Sequence, residues 1–155
     1  MTDTNDAIVI LMADDDDDDF MLTKKALQES KLLNELIRVK DGEELLDYLN
    51  GRGDYADGSA VRPGVILLDL NMPRKDGREA LREIKTDENL RGIPVVVFTT
   101  SKAEEDIYRS YQLGVNSFIT KPVTFESLIA VMQTLGKYWF EIVELPQHSN
   151  GFSKS

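Results

Sequence analysis

Apolar runs alternate along the chain with longer segments whose apolar residues recur every three or four positions. A short apolar run bounded by polar or turn-forming residues is typical of a strand that is buried on both faces. The pattern predicts five such strands, at AIVILM (7–12), ELIRV (35–39), GVILLDL (64–70), PVVVF (94–98) and NSFIT (116–120).

Spacing of three and four places apolar residues on one face of a helix, and it fills every interval between the strands. Alternation of strand and helix through the whole chain predicts an α/β domain with a parallel sheet and right-handed crossovers. The longest connection, residues 50–64, is rich in turn formers and predicts a surface loop. We predict helices at FMLTKKALQES (20–30), GEELLDYLN (42–50), GREALREIKTDENL (77–90) and AEEDIYRSYQLG (103–114), with a fifth that begins near Phe125 and continues past Gly136.

Composition narrows the classes of function. A chain of 155 residues with 41% hydrophobic and 30% charged residues fits one soluble domain. Its net charge of −10 opposes binding to nucleic acid and to anionic membranes, so we expect neither as a partner. The absence of cysteine excludes disulfides, thiolate metal sites and cysteine nucleophiles. Without a signal peptide or an apolar run of membrane-spanning length, we expect a cytoplasmic protein.

Polar residues with coherent chemistry follow the predicted strands. In open parallel sheets the binding crevice lies outside the carboxyl ends of the strands. Asp14 and Asp15 follow the first strand, Asp69 lies at the end of the third, Thr99 follows the fourth and Lys121 follows the fifth. Converging carboxylates repel one another unless a cation lies between them, and oxygen ligands suit Mg²⁺. A lysine and a hydroxyl can hold phosphoryl oxygens, and a carboxylate is the candidate nucleophile.

The sequence MADDDDDDF (12–20) contains six consecutive aspartates, a pattern that in isolation is most often a solvated surface. Its position after the first strand divides it in two. We expect Asp14 and Asp15 to hold a metal and Asp16 to be the N-cap of the first helix. Residues 17–19 would form the first helical turn, where carboxylates oppose the positive end of the helix dipole.

These features together resemble the receiver domain of two-component response regulators, over residues 7–137. The matching pieces are the acidic pair after the first strand, DLNMPRKDG around Asp69, Thr99 after the fourth strand and TKP after the fifth. Thr99 and Lys121 follow Asp69 by 30 and 52 residues, which is the receiver arrangement. The resemblance implies a flavodoxin-like receiver fold, in which five helices flank a doubly wound five-stranded parallel sheet of strand order 2-1-3-4-5.

The resemblance also implies a role for each site residue. Asp69 would accept a phosphoryl group from the phosphohistidine of a sensor histidine kinase and form an acyl phosphate. Asp15 would bind Mg²⁺ directly and Asp14 largely through water, while Asp69 and the backbone carbonyl of Asn71 would complete the protein ligands. Lys121 would pair with a phosphoryl oxygen.

Two further residues would form the switch. The Thr99 hydroxyl would turn inward to bond the phosphoryl group, and Phe118 would change rotamer as that hydroxyl moves. Phenylalanine at position 118 lacks the phenol that many family members have there. In the family the bond between Lys121 and Pro122 is cis, so we expect that isomer here.

The C-terminal stretch GKYWFEIVELP (136–146) is too apolar for a simple tail. It either folds back on the domain or forms a subunit interface, because large apolar patches seldom stay exposed. This ending, with the long loop before the third strand, resembles the phytochrome-associated subgroup of small, receiver-only response regulators that dimerise. A bacteriophytochrome is thus one candidate for the sensor kinase, and a homodimer is expected. The interface candidates are Tyr138, Trp139, Phe140 and Val143.

Three functions remain to be compared. The leading hypothesis is a stand-alone receiver, 7–137, that signals through protein contacts and is not an enzyme beyond weak self-catalysed phosphotransfer and dephosphorylation. Its extension, 138–155, would be an apolar segment (138–146) and a flexible tail, without a separate effector domain. A HAD-like aspartyl-nucleophile phosphatase would need a second aspartate where Asn71 stands. A degenerate receiver that only binds partners is disfavoured because every expected site residue is present.

Overall fold

A computed structural model describes residues 8–140, which form a five-stranded parallel sheet in the order β2-β1-β3-β4-β5. This order confirms the doubly wound receiver fold that the family resemblance implies. Each strand corresponds to one predicted apolar run, although the ends differ by up to three residues. The strands are β1 (Ile10–Ala13), β2 (Leu36–Val39), β3 (Val65–Leu68), β4 (Val95–Thr99) and β5 (Ser117–Thr120).

Five α-helices connect or follow the strands, as predicted. The third ends at Thr86, earlier than the predicted residue 90, because Asp87 leaves the helical conformation and its carboxylate accepts bonds from the backbone N–H groups of Asn89 and Leu90. The helices are α1 (Asp17–Glu29), α2 (Gly42–Asn50), α3 (Gly77–Thr86), α4 (Glu104–Gln112) and α5 (Phe125–Leu135).

Helices cover both faces of the sheet, so the strands are buried on both sides. Along β1, Leu11 and Ala13 face the hydrophobic cluster that includes α2 and α3, whereas Ile10 and Met12 face the cluster that includes α1 and α5. Full burial of a leucine, isoleucine or methionine side chain contributes about 1.5–3 kcal/mol. The packing explains why the strand sequences are continuously apolar, and it leaves only the strand ends for polar chemistry.

The last helix continues past Gly136, as predicted, in a π-helical turn at Gly136–Phe140. A side chain at position 136 would place its Cβ 2.8 Å from the methyl carbons of Leu32. The glycine therefore makes room for the chain that follows α1. Within residues 8–140, no helix is long and apolar enough to cross a membrane.

The loop before β3 contains a 3-10 turn at Gly53–Tyr55 and is tied to α2 by two tyrosines. The Tyr48 hydroxyl donates to the Val61 carbonyl at 2.7 Å, and the Tyr55 hydroxyl donates to Glu44 at 2.6 Å. The two rings pack edge to face with centroids 5.0 Å apart. The surface loop that the sequence predicts is thus anchored along its length.

Candidate functional site

Strand register brings the predicted acidic residues to one edge of the sheet. Ala13 of β1 pairs with Leu68 of β3, so the residues that follow them, Asp14 and Asp69, leave the sheet side by side. The Asp69 backbone N–H donates to the Ala13 carbonyl at 3.0 Å. Continuously buried strands leave little freedom of register, and this fixes the relative position of the two carboxylates.

Asp14, Asp15 and Asp69 each offer an oxygen atom, and these atoms lie within 4.8 Å of one another. Asp14 is completely buried, Asp69 is nearly so, and Asp15 is exposed to solvent. Burial raises the pKa of Asp14 to about 6, although its contact with Lys121 opposes the rise. Three carboxylates at this separation form an electrostatic well for a cation.

The individual oxygens of this group fit Mg²⁺, which prefers a few hard oxygen ligands and keeps bound water. Asp14 Oδ1 accepts the Asp16 backbone N–H at 2.9 Å. The buried Asp14 Oδ2 lies 2.7 Å from Lys121 Nζ as an ion pair, but among the described residues it has no hydrogen-bond donor of suitable angle. Asp15 is exposed to solvent, so its carboxylate can bind a metal together with water. A divalent cation would satisfy the lone pairs that the protein leaves open.

Lys121 supplies the positive charge of the site. Its Nζ atom lies 2.7 Å from Asp14, 2.7 Å from Asp19 and 3.2 Å from Asp69, all measured to carboxylate oxygens. Burial on its own lowers the pKa of Lys121, but the close contacts with the carboxylates of Asp14 and Asp19 outweigh burial and the pKa is raised. The side chain is therefore a fixed cation at neutral pH. In this structure the Lys121–Pro122 peptide is trans, so the cis expectation is wrong for this structure.

The aspartate run divides largely as predicted, with one exception. Asp16 has extended backbone angles and its carboxylate accepts the Asp19 backbone N–H at 3.0 Å, which confirms it as the N-cap of α1. Asp17 pairs with Arg38 at the surface, and Asp18 is exposed. Asp19, expected only to oppose the helix dipole, instead reaches Lys121. The available signal was its position four residues before the buried Thr23, on the inner face of α1.

Thr99 and Phe118 lie beside the carboxylates. The Thr99 hydroxyl is buried and donates to Asp69 Oδ1 at 2.7 Å, and the same oxygen accepts the Asn71 backbone N–H at 3.1 Å. Phe118 is half-buried against the α2–α3 side of the core. Its backbone N–H donates to the Tyr111 hydroxyl of α4 at 3.1 Å. Position 118 carries no phenol, but the phenol of Tyr111 in α4 forms a hydrogen bond with the backbone of the same strand, β5.

A polar network that sequence reasoning missed joins the loops after β3 and β4. Arg78 donates to both oxygens of Asp106, at 2.8 Å and 2.7 Å, and Ser101 donates to Asp106 at 2.7 Å. The Arg78 guanidinium also approaches the Asn71 side-chain oxygen at 3.4 Å. The bonds from Arg78 lower the pKa of Asp106 to about 2. The two loops that flank the carboxylates are therefore linked by hydrogen bonds through Asp106 of α4.

Glycine at position 77 brings the start of α3 against the site. A Cβ atom there would lie 2.2 Å from the Asp69 carbonyl oxygen and 2.7 Å from the Leu70 Cα. Backbone cannot yield as a flexible side chain can, so only glycine allows this approach. Asp76 immediately before it caps the helix by accepting the Arg78 backbone N–H at 2.6 Å. The close packing fixes the segment that carries Asp69.

The predicted interface residues are only partly described. Tyr138 lies in the π-helical turn with just over half of its surface exposed. Trp139 and Phe140 belong to the same turn. Val143 lies outside the described residues.

An acidic cluster, a lysine and a hydroxyl at the carboxyl edge of a 2-1-3-4-5 parallel sheet define a receiver domain. The family model described as "Response regulator receiver domain" matches residues 10–133, and the chain belongs to this family. It is a phosphoacceptor of two-component signalling, a signalling protein and not an enzyme, with Mg²⁺ as cofactor and a histidine kinase as partner. The phosphatase and degenerate-receiver alternatives are not favoured.

Curated relatives and solved structures narrow the family further. The chain is 43% identical over 125 residues to Response regulator Rcp1 of Synechocystis sp., which covers 81% of this chain and 84% of that protein. It is similar to the crystal structure of the phosphorylated cyanobacterial phytochrome response regulator RcpA, with a TM-score of 0.79 and 44% identity over 85% of this chain and 93% of that one.

A Mn²⁺-bound structure of Rcp1 gives the same TM-score of 0.79, at 41% identity, covering 87% of this chain and 96% of that chain. These proteins are the kind of response regulator that the sequence ending and the long loop resemble. The resemblance drawn from the sequence is therefore confirmed.

Proposed function

We propose that Asp69 is the phosphoryl acceptor of this response regulator. The observation that carries the proposal is the asymmetric setting of its carboxylate. Oδ1 accepts bonds from Thr99 and Asn71, while Oδ2 faces the Lys121 ammonium. A carboxylate oxygen of Asp69 attacks phosphorus, the P–N bond of the phosphohistidine breaks, and the departing imidazole nitrogen keeps the electron pair. The product is an acyl phosphate on Asp69.

The chain's own residues orient and neutralise the reacting group. Lys121 is a buried cation beside Asp69 and is suited to pair with a phosphoryl oxygen as negative charge accumulates. Asp14, Asp15, Asp69 and the backbone carbonyl of Asn71 would hold Mg²⁺, which supplies charge neutralisation when bound. Thr99 lies within hydrogen-bond distance of Asp69 and can follow the new phosphoryl oxygens.

We further propose that Thr99 and Phe118 transmit the change. A phosphoryl group adds about −1.5 to −2 charges and strong acceptor oxygens at Asp69. Movement of the Thr99 hydroxyl toward that group would draw the loop after β4 and free Phe118 to change rotamer. Phe118 is bonded through its backbone to Tyr111, so α4 and β5 form the surface on which the change is read by protein partners.

Labelling with a small phosphodonor tests the acceptor. We expect acetyl phosphate and Mg²⁺ to add one phosphoryl group to the wild type, detected by intact mass, and none to Asp69→Asn. Asp18→Asn, an exposed aspartate in the same charge run, should be labelled as the wild type is. Labelling that survives Asp69→Asn, with the fold intact by circular dichroism, contradicts the assignment.

For the kinase partner, we propose a phytochrome-class histidine kinase acting in the cytoplasm. Support comes from the similarity of this chain to RcpA, which is a cyanobacterial phytochrome response regulator. A purified phytochrome histidine kinase should phosphorylate this chain at an initial rate at least tenfold above that of an unrelated histidine kinase. Equal rates from both kinases would count against the pairing.

We also propose that the C-terminal apolar segment forms a homodimer interface. Tyr138 is exposed at the start of that segment, next to Trp139 and Phe140, and Val143 would extend the surface. Sedimentation equilibrium of wild type should give a dimer that Trp139→Ala weakens. Tyr108→Ala, which removes an exposed aromatic of α4, is the matched control. A monomer at every concentration refutes the dimer.

A further inference from the structure

Lys121 is in contact with a third carboxylate, that of Asp19, to which the phosphoacceptor site described above gives no role. Asp19 Oδ2 lies 2.7 Å from Lys121 Nζ, nearer than Asp69 Oδ2 at 3.2 Å. We propose that Asp19 is a positioning residue, which holds the Lys121 ammonium and thereby restrains the affinity of the site for a phosphoryl group. The inference rests on the proposed roles of Asp69 and Lys121.

Both ends of this contact are fixed by the backbone. The Asp19 N–H is bonded to the N-cap carboxylate of Asp16, and α1 packs along α5. The Lys121 N–H donates to the Thr99 carbonyl at 2.8 Å. The lysine side chain is nine-tenths buried and that of Asp19 is two-thirds buried, so the pair is shielded more than an ordinary surface ion pair. Two residues 102 positions apart are therefore held in one geometry.

Asp19 is also distinct from the metal-binding carboxylates. Among the described residues, the convergent group consists of Asp14, Asp15 and Asp69, and Asp19 lies outside it. Asp14 and Asp69 would share their charge with a bound cation. Asp19 would then be the anionic partner of Lys121 that no metal neutralises.

The Lys121 ammonium donates hydrogen bonds to Asp19 and Asp69, and it lies 2.7 Å from Asp14 Oδ2 as an ion pair. A phosphoryl group on Asp69 must compete with Asp19 for the same positive charge, because both are anions close to Nζ. When the Asp19 charge is lost, the Lys121 ammonium can interact more strongly with the phosphoryl oxygens. It follows that Asp19 weakens binding of a phosphoryl group or its mimic, and that its effect passes through Lys121.

Trifluoroberyllate, which mimics a phosphoryl group on a carboxylate, provides the test in the presence of Mg²⁺. Its dissociation constant would be measured on the full chain by fluorine NMR. We expect Asp19→Asn to bind about three- to tenfold more tightly than wild type, the size expected for one partly shielded charge a few ångströms away. Asp19→Glu keeps the charge and should return the affinity to near the wild-type value. Asp18→Asn makes the same change of net charge on the exposed side of the same turn and should leave affinity unchanged.

A double-mutant cycle separates action through Lys121 from general repulsion. In a Lys121→Ala background, Asp19→Asn should change the dissociation constant no more than Asp18→Asn does. The inference is overturned if Asp19→Asn matches Asp18→Asn in the wild-type background, weakens binding, or acts equally with and without Lys121. Should the wild type itself bind no trifluoroberyllate with Mg²⁺, the proposed phosphoacceptor site fails together with this inference.

Discussion

The Thr99 hydroxyl donates a 2.7 Å hydrogen bond to Asp69 Oδ1, and both residues are buried. The hydroxyl assigned to the phosphoryl group is therefore already bonded to the unmodified carboxylate. Phosphorylation at this site would exchange the acceptor of an existing bond and would not recruit a free donor. Such an exchange requires only a small displacement to couple the chemistry at Asp69 to the end of β4.

Replacement of Thr99 by valine, which preserves shape and removes the hydroxyl, should destabilise the protein by about 1–3 kcal/mol, because a buried charged acceptor loses its donor. Urea unfolding measures the change. Thr120→Val is the matched control, since Thr120 pairs with Thr99 on the adjacent strand and is only half-buried. We expect the control to stay within about 0.5 kcal/mol of wild type. Equal losses in both variants would show that the bond contributes nothing.

Gly77→Ala should be among the most damaging small substitutions in the chain. Its Cβ would meet the Asp69 carbonyl at 2.2 Å, and relief requires the backbone that carries Asp69 to move. We expect a loss of about 1–3 kcal/mol or more from overpacking, together with slower phosphorylation. Gly92→Ala has no atom within 4 Å of the added methyl group and should be neutral or slightly stabilising. Similar unfolding free energies for the two variants would contradict the packing argument.

Mg²⁺ should stabilise the folded protein through the acidic cluster. At about 10–100 times its dissociation constant, a ligand that binds only the folded state adds about 1.4–2.7 kcal/mol, measured as a rise in Tm. Asp15→Ala should abolish this rise and the Mg²⁺-dependent phosphorylation, while Asp18→Ala should retain both. EDTA should reverse the effect in the wild type. Equal loss in the two variants would mean that the aspartate run acts as one diffuse charge.

The Arg78–Asp106 pair should stabilise the protein in a pH-dependent way. Hydrogen bonds from Arg78 lower the pKa of Asp106 to about 2 from its ordinary value of 3.8. A carboxyl with a depressed folded pKa contributes stability above its unfolded pKa and loses it as pH falls toward the folded pKa. Asp106→Asn should therefore cost about 1–2 kcal/mol at pH 6, after allowance for the partly exposed arginine, and much less at pH 2. If the loss of unfolding free energy is the same at both pH values, it arises from packing and not from the ion pair.

The sequence predicts the site wherever local pattern determines geometry. Buried apolar runs set the strands and their register, so the hydrophobic pattern alone places Asp14, Asp69 and Thr99 at one edge of the sheet. The N-cap Asp16 follows from the same boundary. In each case the sequence marks where a strand ends or a helix begins, and pairing of the parallel strands then brings those strand ends to one edge.

Features that depend on packing between distant elements escaped prediction. The bond of Asp19 to Lys121 spans 102 residues, and the approach of Gly77 to Asp69 depends on how α3 docks. The isomer of the Lys121–Pro122 bond was also predicted wrongly, because the two isomers of such a bond differ by only about 0.5–1 kcal/mol intrinsically.

Burial of Asp14 affects how the thermal stability of this protein can be increased. Its complete burial raises its pKa to about 6, which means that the charged form is held at a cost to the folded state at neutral pH. Asp14→Asn would remove that cost, so we expect it to raise the Tm while it abolishes Mg²⁺-dependent phosphorylation. If Asp14 holds Mg²⁺ as proposed, we therefore expect selection for a higher Tm alone to favour variants at this position that are no longer phosphorylated.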